Sequence, residues 1–308
     1  MTWVAWRVQR SQILAAIAVV AALALWLVAS GLVTGHSQTF KYWTDADTYV
    51  LYALPVVLGL ALGAPLMAGE SHLGTDRLAW TQSVTRRRWL TRKLLVSGLI
   101  TVGMVVVLTL LLEWWTTAVS VSAITQSGGF SGVRIQPDAF DLTGLVVVGY
   151  TVFAFFLGTA LGTVIRRPGW AFAIGLPIFA AVRIVVQWLR PHLVTPAVYT
   201  SLVERASSAV NNGWLLNIGL LPANRTTPLP GKTWAQWEFS KSYNACENKP
   251  LTNAGDGHCS LLAHVHYVFQ YQPASHYWAL QGIELAIFLG LGLLLLAFTV
   301  IRVKRWRT

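Results

Sequence analysis

Six stretches of this chain are long and apolar enough to cross a lipid bilayer, and no other feature narrows its fold as much. A hydrocarbon core of about 30 Å takes about 20 helical residues to span. Ile13–Leu32, Thr48–Met67, Leu94–Leu112 and Leu142–Ile165 carry no charged residue, Trp170–Leu189 is interrupted only by Arg183, and Trp278–Ile301 only by Glu284. Lipid offers the backbone no hydrogen-bond partner, so runs of this kind must close their own ladders as helices. Only 11% of the residues are charged, against about 25% in a soluble domain. The expected fold class is an all-α membrane protein of six transmembrane helices.

A cleaved leader would be the competing reading of the first run, but the run exceeds the usual h-region of about 7–15 residues. It reads as the first span. Before it, Trp3 and Trp6 stand beside Arg7 and Arg10, which suits a short helix at the headgroup layer.

Orientation follows from the basic residues on each side of the spans. One face collects 14 of the 23 Lys and Arg: Arg7, Arg10, Arg77, Arg86, Arg87, Arg88, Arg92, Lys93, Arg166, Arg167, Arg302, Lys304, Arg305 and Arg307. The acidic residues there are Glu70 and Asp76. The opposite face is balanced in charge, so both termini are expected in the cytoplasm. The formal charge of +11 is then the positive-inside signal spread over short segments, and no nucleic-acid partner is expected.

The expected domains are residues 1–190, holding spans one to five, an extracytoplasmic cap over 191–277, and 278–308 with the sixth span and a cytoplasmic tail. The abrupt shift to Asn, Pro, Ser and Thr after Arg190 marks the cap, which is too long for a bare linker. Ser201–Leu221 could hold one helix, broken near Asn211-Asn212-Gly213, and 222–260 reads as turns and loops. Cys246 and Cys259 both fall in the cap, on an oxidising side, and are expected to form a disulfide. A bridge closing so short a loop would contribute roughly 3 kcal/mol.

No catalytic constellation emerges. His264-Val265-His266 could present two imidazoles on one face of a strand, but no third ligand stands nearby, so no metal site is expected. Gly231-Lys232-Thr233 resembles the tail of a phosphate loop, yet position 226 is Thr where that motif needs Gly. Any ATP chemistry must therefore reside on another polypeptide. Small-residue pairs at four-residue spacing, Gly59 with Gly63 and Gly158 with Gly162, would let helix backbones approach closely, although the pattern is common in Gly-rich spans. Three charges lie within or at the edge of spans: Glu113, Arg183 and Glu284. A charge at the bilayer centre costs about 2.5–3.5 kcal/mol on insertion scales, so Arg183 is expected to pair with Glu113 or Glu284.

The polar, basic segment 69–93 joins the second and third spans. It holds Glu70, Gly74, Thr75, Asp76, Arg77, Leu78, Trp80, Ser83, Arg86, Arg87, Arg88 and Lys93, a mixture of acidic, apolar and basic positions that a tether does not need. Aromatic and leucine anchors favour protein interfaces, while the three consecutive arginines could equally contact anionic lipid headgroups. The order acidic residue, Gly-Thr, Leu, Ser, basic cluster and Lys resembles ABC-2-type ABC transporter permeases, especially their short actinobacterial exporter members. Phe269-Gln270-Tyr271-Gln272-Pro273-Ala274-Ser275 and Gln281-Gly282-Ile283-Glu284 are similar to the same group.

The resemblance implies a membrane-spanning subunit of an exporter, in the bacterial plasma membrane, without enzymatic activity of its own. It implies a second permease, as a homodimer, and two copies of a separate ATP-binding subunit that carries ATP and Mg; this chain binds no cofactor. Glu70, Gly74, Thr75, Asp76, Arg77, Leu78, Trp80 and Arg86–Arg88 would contact that ATPase. Spans two and five would line the cavity, and their Tyr52, Leu58, Phe172 and Phe179 favour a hydrophobic cargo such as an antibiotic, a drug in multidrug efflux or a lipid-like molecule. The alternative is a membrane sensor or structural subunit that binds an external ligand through its cap. An enzyme should show paired polar residues at the bilayer edge, and a channel several polar positions along one helix face; neither pattern is present.

Overall fold

The computed structural model describes residues 2–34, 45–73, 86–118, 133–201, 208–222 and 265–304. Its long helices are α1 (Thr2–Thr34), α2 (Asp45–Leu73), α3 (Arg86–Ala118), α5 (Val146–Ile165), α6 (Pro168–Leu193) and α8 (Tyr277–Lys304), with the short helices α4 (Pro137–Phe140) and α7 (Ser208–Asn211) between them. By length and composition, five of the described helical segments can cross a membrane: Leu51–Ala68, Leu90–Trp114, Val146–Ile165, Pro168–Leu193 and Ala274–Lys304. In α1 the described apolar segment is Ile13–Ala29.

Several helices run past the apolar stretches that define them in the sequence. The segment 69–93 is the clearest case, because 69–73 complete α2 and 86–93 open α3. The fourth span is shorter than its apolar run. Leu142–Leu145 belong to the turn before α5, with Gly144 at φ 78°. At its other end α5 stops where Arg166 adopts a left-handed conformation, φ 56° and ψ 7°, and its N–H bonds Gly162 O at 3.2 Å. Pro168 then opens α6, a position where its missing N–H costs nothing and its fixed φ suits a first turn.

The chain divides into two compact units. The first, Met1–Gly132 with Asp138–Trp188 and Leu280–Thr308, is helical, and α5 is its centre. Two-thirds of the α5 span is buried, against 22% for the spans in α6 and α8. The outward faces of α3, α6 and α8 carry Leu99, Trp188 and Leu294, each more than two-thirds exposed. That is the pattern of helices whose outer side meets lipid rather than water. Hydroxyls inside the unit are satisfied locally: Thr101, Thr109, Thr151 and Thr299 each donate to the carbonyl four residues back, at 2.8–2.9 Å.

The second unit, Val133–Pro137 with Leu189–Ala279, adds a short strand region to a mostly helical chain. It contains an antiparallel sheet of β1 (Ala197–Ser201), β2 (Trp214–Pro222) and β3 (Val265–Gln272), in the order β1-β3-β2. The register aligns Tyr199 with Phe269 and Ile218 with Phe269, and Leu216 forms a bulge between Leu215 and Asn217. One face packs Phe269 and Tyr271 with Ala197, Tyr199 and Val210. Among the described residues of 201–221, helix is found at Ser208–Asn211, after which the Gly213 N–H closes a turn on Val210 O at 3.0 Å. A short apolar run such as Trp214–Leu221 fits helix or strand by periodicity alone, and pairing with β3 decides it.

Candidate functional site

A dense set of side-chain hydrogen bonds lies around the first turn of α5. Leu145, the residue before α5, makes no capping hydrogen bond with its side chain, so the free N–H groups of the helix start need another acceptor. Gln281 of α8 supplies it. Its Oε1 accepts from the Val146 N–H at 2.8 Å, while Nε2 donates to Phe140 O at 3.1 Å and to Thr143 O at 3.0 Å. One fully buried amide thereby caps α5 and ties down the turn that precedes it.

That turn carries Asp141, whose side chain is 4% exposed and pairs with the Arg183 guanidinium at 2.8 Å. Tyr150, one turn into α5, places its hydroxyl 2.9 Å from Asp141 Oδ1 and 3.2 Å from Glu284 Oε2. Glu284 is fully buried and lies three residues after Gln281, hence on the same face of α8. The Arg183 guanidinium also stacks over the Tyr150 ring at 4.5 Å and lies 5.7 Å from the Tyr52 ring of α2. Cation–π contacts of this kind add about 0.5–2 kcal/mol. Elements α2, α5, α6 and α8 and the turn at 141 thus converge on one cation and two carboxylates. Beside them Tyr150, Phe153, Phe179 and Phe288 form an aromatic core with ring centroids 4.7–6.3 Å apart.

This arrangement corrects the partner expected for Arg183. Its ion pair is with Asp141, and Glu284 meets the group at the Tyr150 hydroxyl. Glu113, half-buried near the end of α3, is not its partner. In the sequence Asp141 reads as the last residue of an outer loop, because apolar character begins at Leu142. Folding back of the 137–145 turn buries it, and hydropathy carries no trace of that. Gln281 and Glu284 were visible within the family-like stretch, but no signal in the chain connects them to residues 140–150.

The four residues expected to line a cavity occupy different environments. Leu58 and Phe179 are buried, Phe179 within the aromatic core. Phe172 and Tyr52 are half-buried, Tyr52 against Arg183. A separate apolar pocket opens among α1, α2, α3 and α5, lined by Leu27, Leu51, Leu54, Val105, Leu108 and Val147 among others; none of the four expected residues belongs to it.

Of the residues expected to meet an ATPase, Glu70 lies in the last turn of α2 and Arg86–Arg88 open α3. Gly74, Thr75, Asp76, Arg77, Leu78 and Trp80 fall outside the described residues. So do Cys246, Cys259, His264 and Gly231-Lys232-Thr233. Among the described residues no group of three or more His, Cys, Asp and Glu is placed to hold a metal ion.

The two glycine pairs face each other. A Cβ on Gly59 would lie 2.7 Å from Ala154 Cβ and 2.8 Å from Thr151 O, and one on Gly63 would collide with Phe155 O. From the other side, a Cβ on Gly158 would lie 2.8 Å from Ala64 N, and one on Gly162 2.6 Å from Ala64 O. Backbone therefore meets backbone along the α2–α5 seam, the close approach that small residues permit in membranes.

Long apolar helices, an apolar exterior and an ion pair, Asp141 with Arg183, inside the bundle define a multi-pass membrane protein. A family model described as ABC-2 membrane transporter related matches residues 4–190, well over half of the chain. The chain belongs to that family: it is an ABC-2-type permease, the membrane component of a transporter rather than its catalytic part, in a family that normally works with ATP-binding subunits. No curated protein and no solved structure matches it.

Proposed function

We propose that this chain is the membrane-spanning subunit of an ATP-driven exporter of hydrophobic compounds in the bacterial plasma membrane. The observation that carries this reading is the family match over residues 4–190, which includes the whole segment 69–93. On the reading of six spans with both termini cytoplasmic, that segment faces the ATP side. A second, identical permease completes the transport path, and two ATP-binding subunits hold ATP and Mg. Glu70, Asp76, Leu78 and Trp80 supply the charged and apolar anchors of the ATPase contact, with Gly74, Thr75, Arg77 and Arg86–Arg88 around them. Tyr52, Leu58, Phe172 and Phe179 of spans two and five, all apolar or aromatic, support an apolar cargo. The disulfide between Cys246 and Cys259 stabilises the extracytoplasmic segment.

The test is co-purification of the chain with an ATP-binding subunit encoded beside it, followed by ATP hydrolysis in proteoliposomes. Wild type is expected to associate, and Trp80→Ala or Glu70→Ala to insert normally yet weaken association by about tenfold, the loss typical of an interface anchor. Unchanged association and hydrolysis in both variants would remove the contact assignment. Absence of any ATPase partner would favour the sensor reading instead.

A further inference from the structure

The two helices that flank residues 74–85 differ in proline content. Within α2 stand Pro55 and Pro65. Each proline lacks an N–H and crowds the carbonyl four residues back, so the ladder is interrupted at Leu51 and at Ala61. By contrast α3 runs for 33 residues without a proline. Force applied at the end of α2 would be spent in bending at Pro65 unless the turns beyond it were braced by something stiffer.

Lys93 is such a brace. It is 4% exposed, and its Nζ donates to Leu66 O at 2.6 Å, across 27 residues of sequence. Leu66 is the residue immediately after the proline. Around the bond lies an apolar cluster of Leu66, Met67, Leu90, Leu94, Phe155 and Val303. Packing alone would be served by an unbranched apolar side chain such as Met, and burying an ammonium is costly unless it is well bonded. Among the contacts of the charge is a short, directional bond from α3 to the far side of the break in α2.

We propose that Lys93 is a positioning residue that makes the last turns of α2 and the first turns of α3 move as one lever, delivering a push on residues 74–85 to the bundle through α3. This rests on the reading that an ATPase acts on that segment. Full-length protein with its ATP-binding subunit would be spin-labelled at the exposed Leu99 of α3 and Leu294 of α8, diluted with unlabelled chain, and its label distances compared without nucleotide and with ATP and vanadate. Wild type and Lys93→Arg are expected to shift on trapping. Lys93→Met should bind the ATPase normally while its shifted population falls about tenfold, the factor one charge-assisted hydrogen bond is worth. Adding Pro65→Ala, which restores the ladder of α2, should recover at least half of that loss.

A wild-type shift in Lys93→Met, or no recovery in a folded Lys93→Met/Pro65→Ala, would overturn the proposal. Should Lys93→Met fail to fold, Lys93→Gln serves in its place: an intermediate shift supports the lever and a full shift overturns it. Loss of ATPase binding by wild type would instead overturn the transport reading and this inference with it.

Discussion

The helix α5 is held in two opposite ways along its length. Past its first turn it meets α2 through what is absent: Gly59 and Gly63 on one side, Gly158 and Gly162 on the other, with backbone against backbone. At its start it is held by what is present, since Gln281, Asp141, Tyr150, Arg183 and Glu284 bond across α5, α6, α8 and the preceding turn. Lipid gives two helices little hydrophobic reason to associate. Close packing and buried polar bonds are the two remaining sources of cohesion, and this bundle separates them in space. The seam is indifferent to charge and intolerant of volume. The cluster is the reverse.

Asp141→Ala should show the largest effect, because it strands the Arg183 guanidinium inside the bundle. The expected loss is about 3 kcal/mol, read as a fall in thermal midpoint of the detergent-purified protein. The charge-reversed pair Arg183→Glu with Asp141→Arg should recover part of what Arg183→Glu loses, whereas Arg183→Glu with Glu113→Arg should recover nothing. If the second pair recovers and the first does not, the ion pair drawn here is wrong.

Next comes Gly63→Ala, expected to cost about 2 kcal/mol by overpacking, since its methyl would meet the Phe155 backbone rather than a side chain able to turn away. A neutral result would mean that the seam is looser than described. Gln281→Ala removes three bonds that average about 0.6 kcal/mol each in membrane bundles, so a loss of about 1–2 kcal/mol is expected. Faster hydrogen exchange at Val146 would confirm that the lost bonds are those of the α5 start. Gly103→Ala should be the smallest change. Nothing lies within 4 Å of its added methyl, and better helix propensity should stabilise by up to about 1 kcal/mol. Together with Gly63→Ala it asks whether the seam glycines matter as glycines or only as small helical residues.

The limits of the sequence show at particular residues. Arg183 was legible as a charge in need of a partner, but its partner was not, because Asp141 stands beyond the apolar run and is carried inward only by the turn at 137–145. The glycine pairs were legible as spacing. That they oppose each other is a property of how α2 and α5 are brought together. In the second unit Trp214–Leu221 fell within a stretch expected to hold one helix broken near Asn211-Asn212-Gly213, and only β3, more than forty residues further on, settles it as a strand.

The chain by itself determined that it carries several membrane-crossing helices and where their apolar centres lie, although α1 and α3 begin well before the apolar runs that mark them. Those properties depend on local composition, on backbone groups that must be satisfied within the segment, and on breakers such as Arg166 to Pro168. The tertiary structure alone decided which charge neutralises Arg183, which backbones touch, and which carbonyl Lys93 reaches. Each is a pairing between positions far apart in sequence, and each is selected by three-dimensional fit among several partners that hydropathy and spacing leave equivalent.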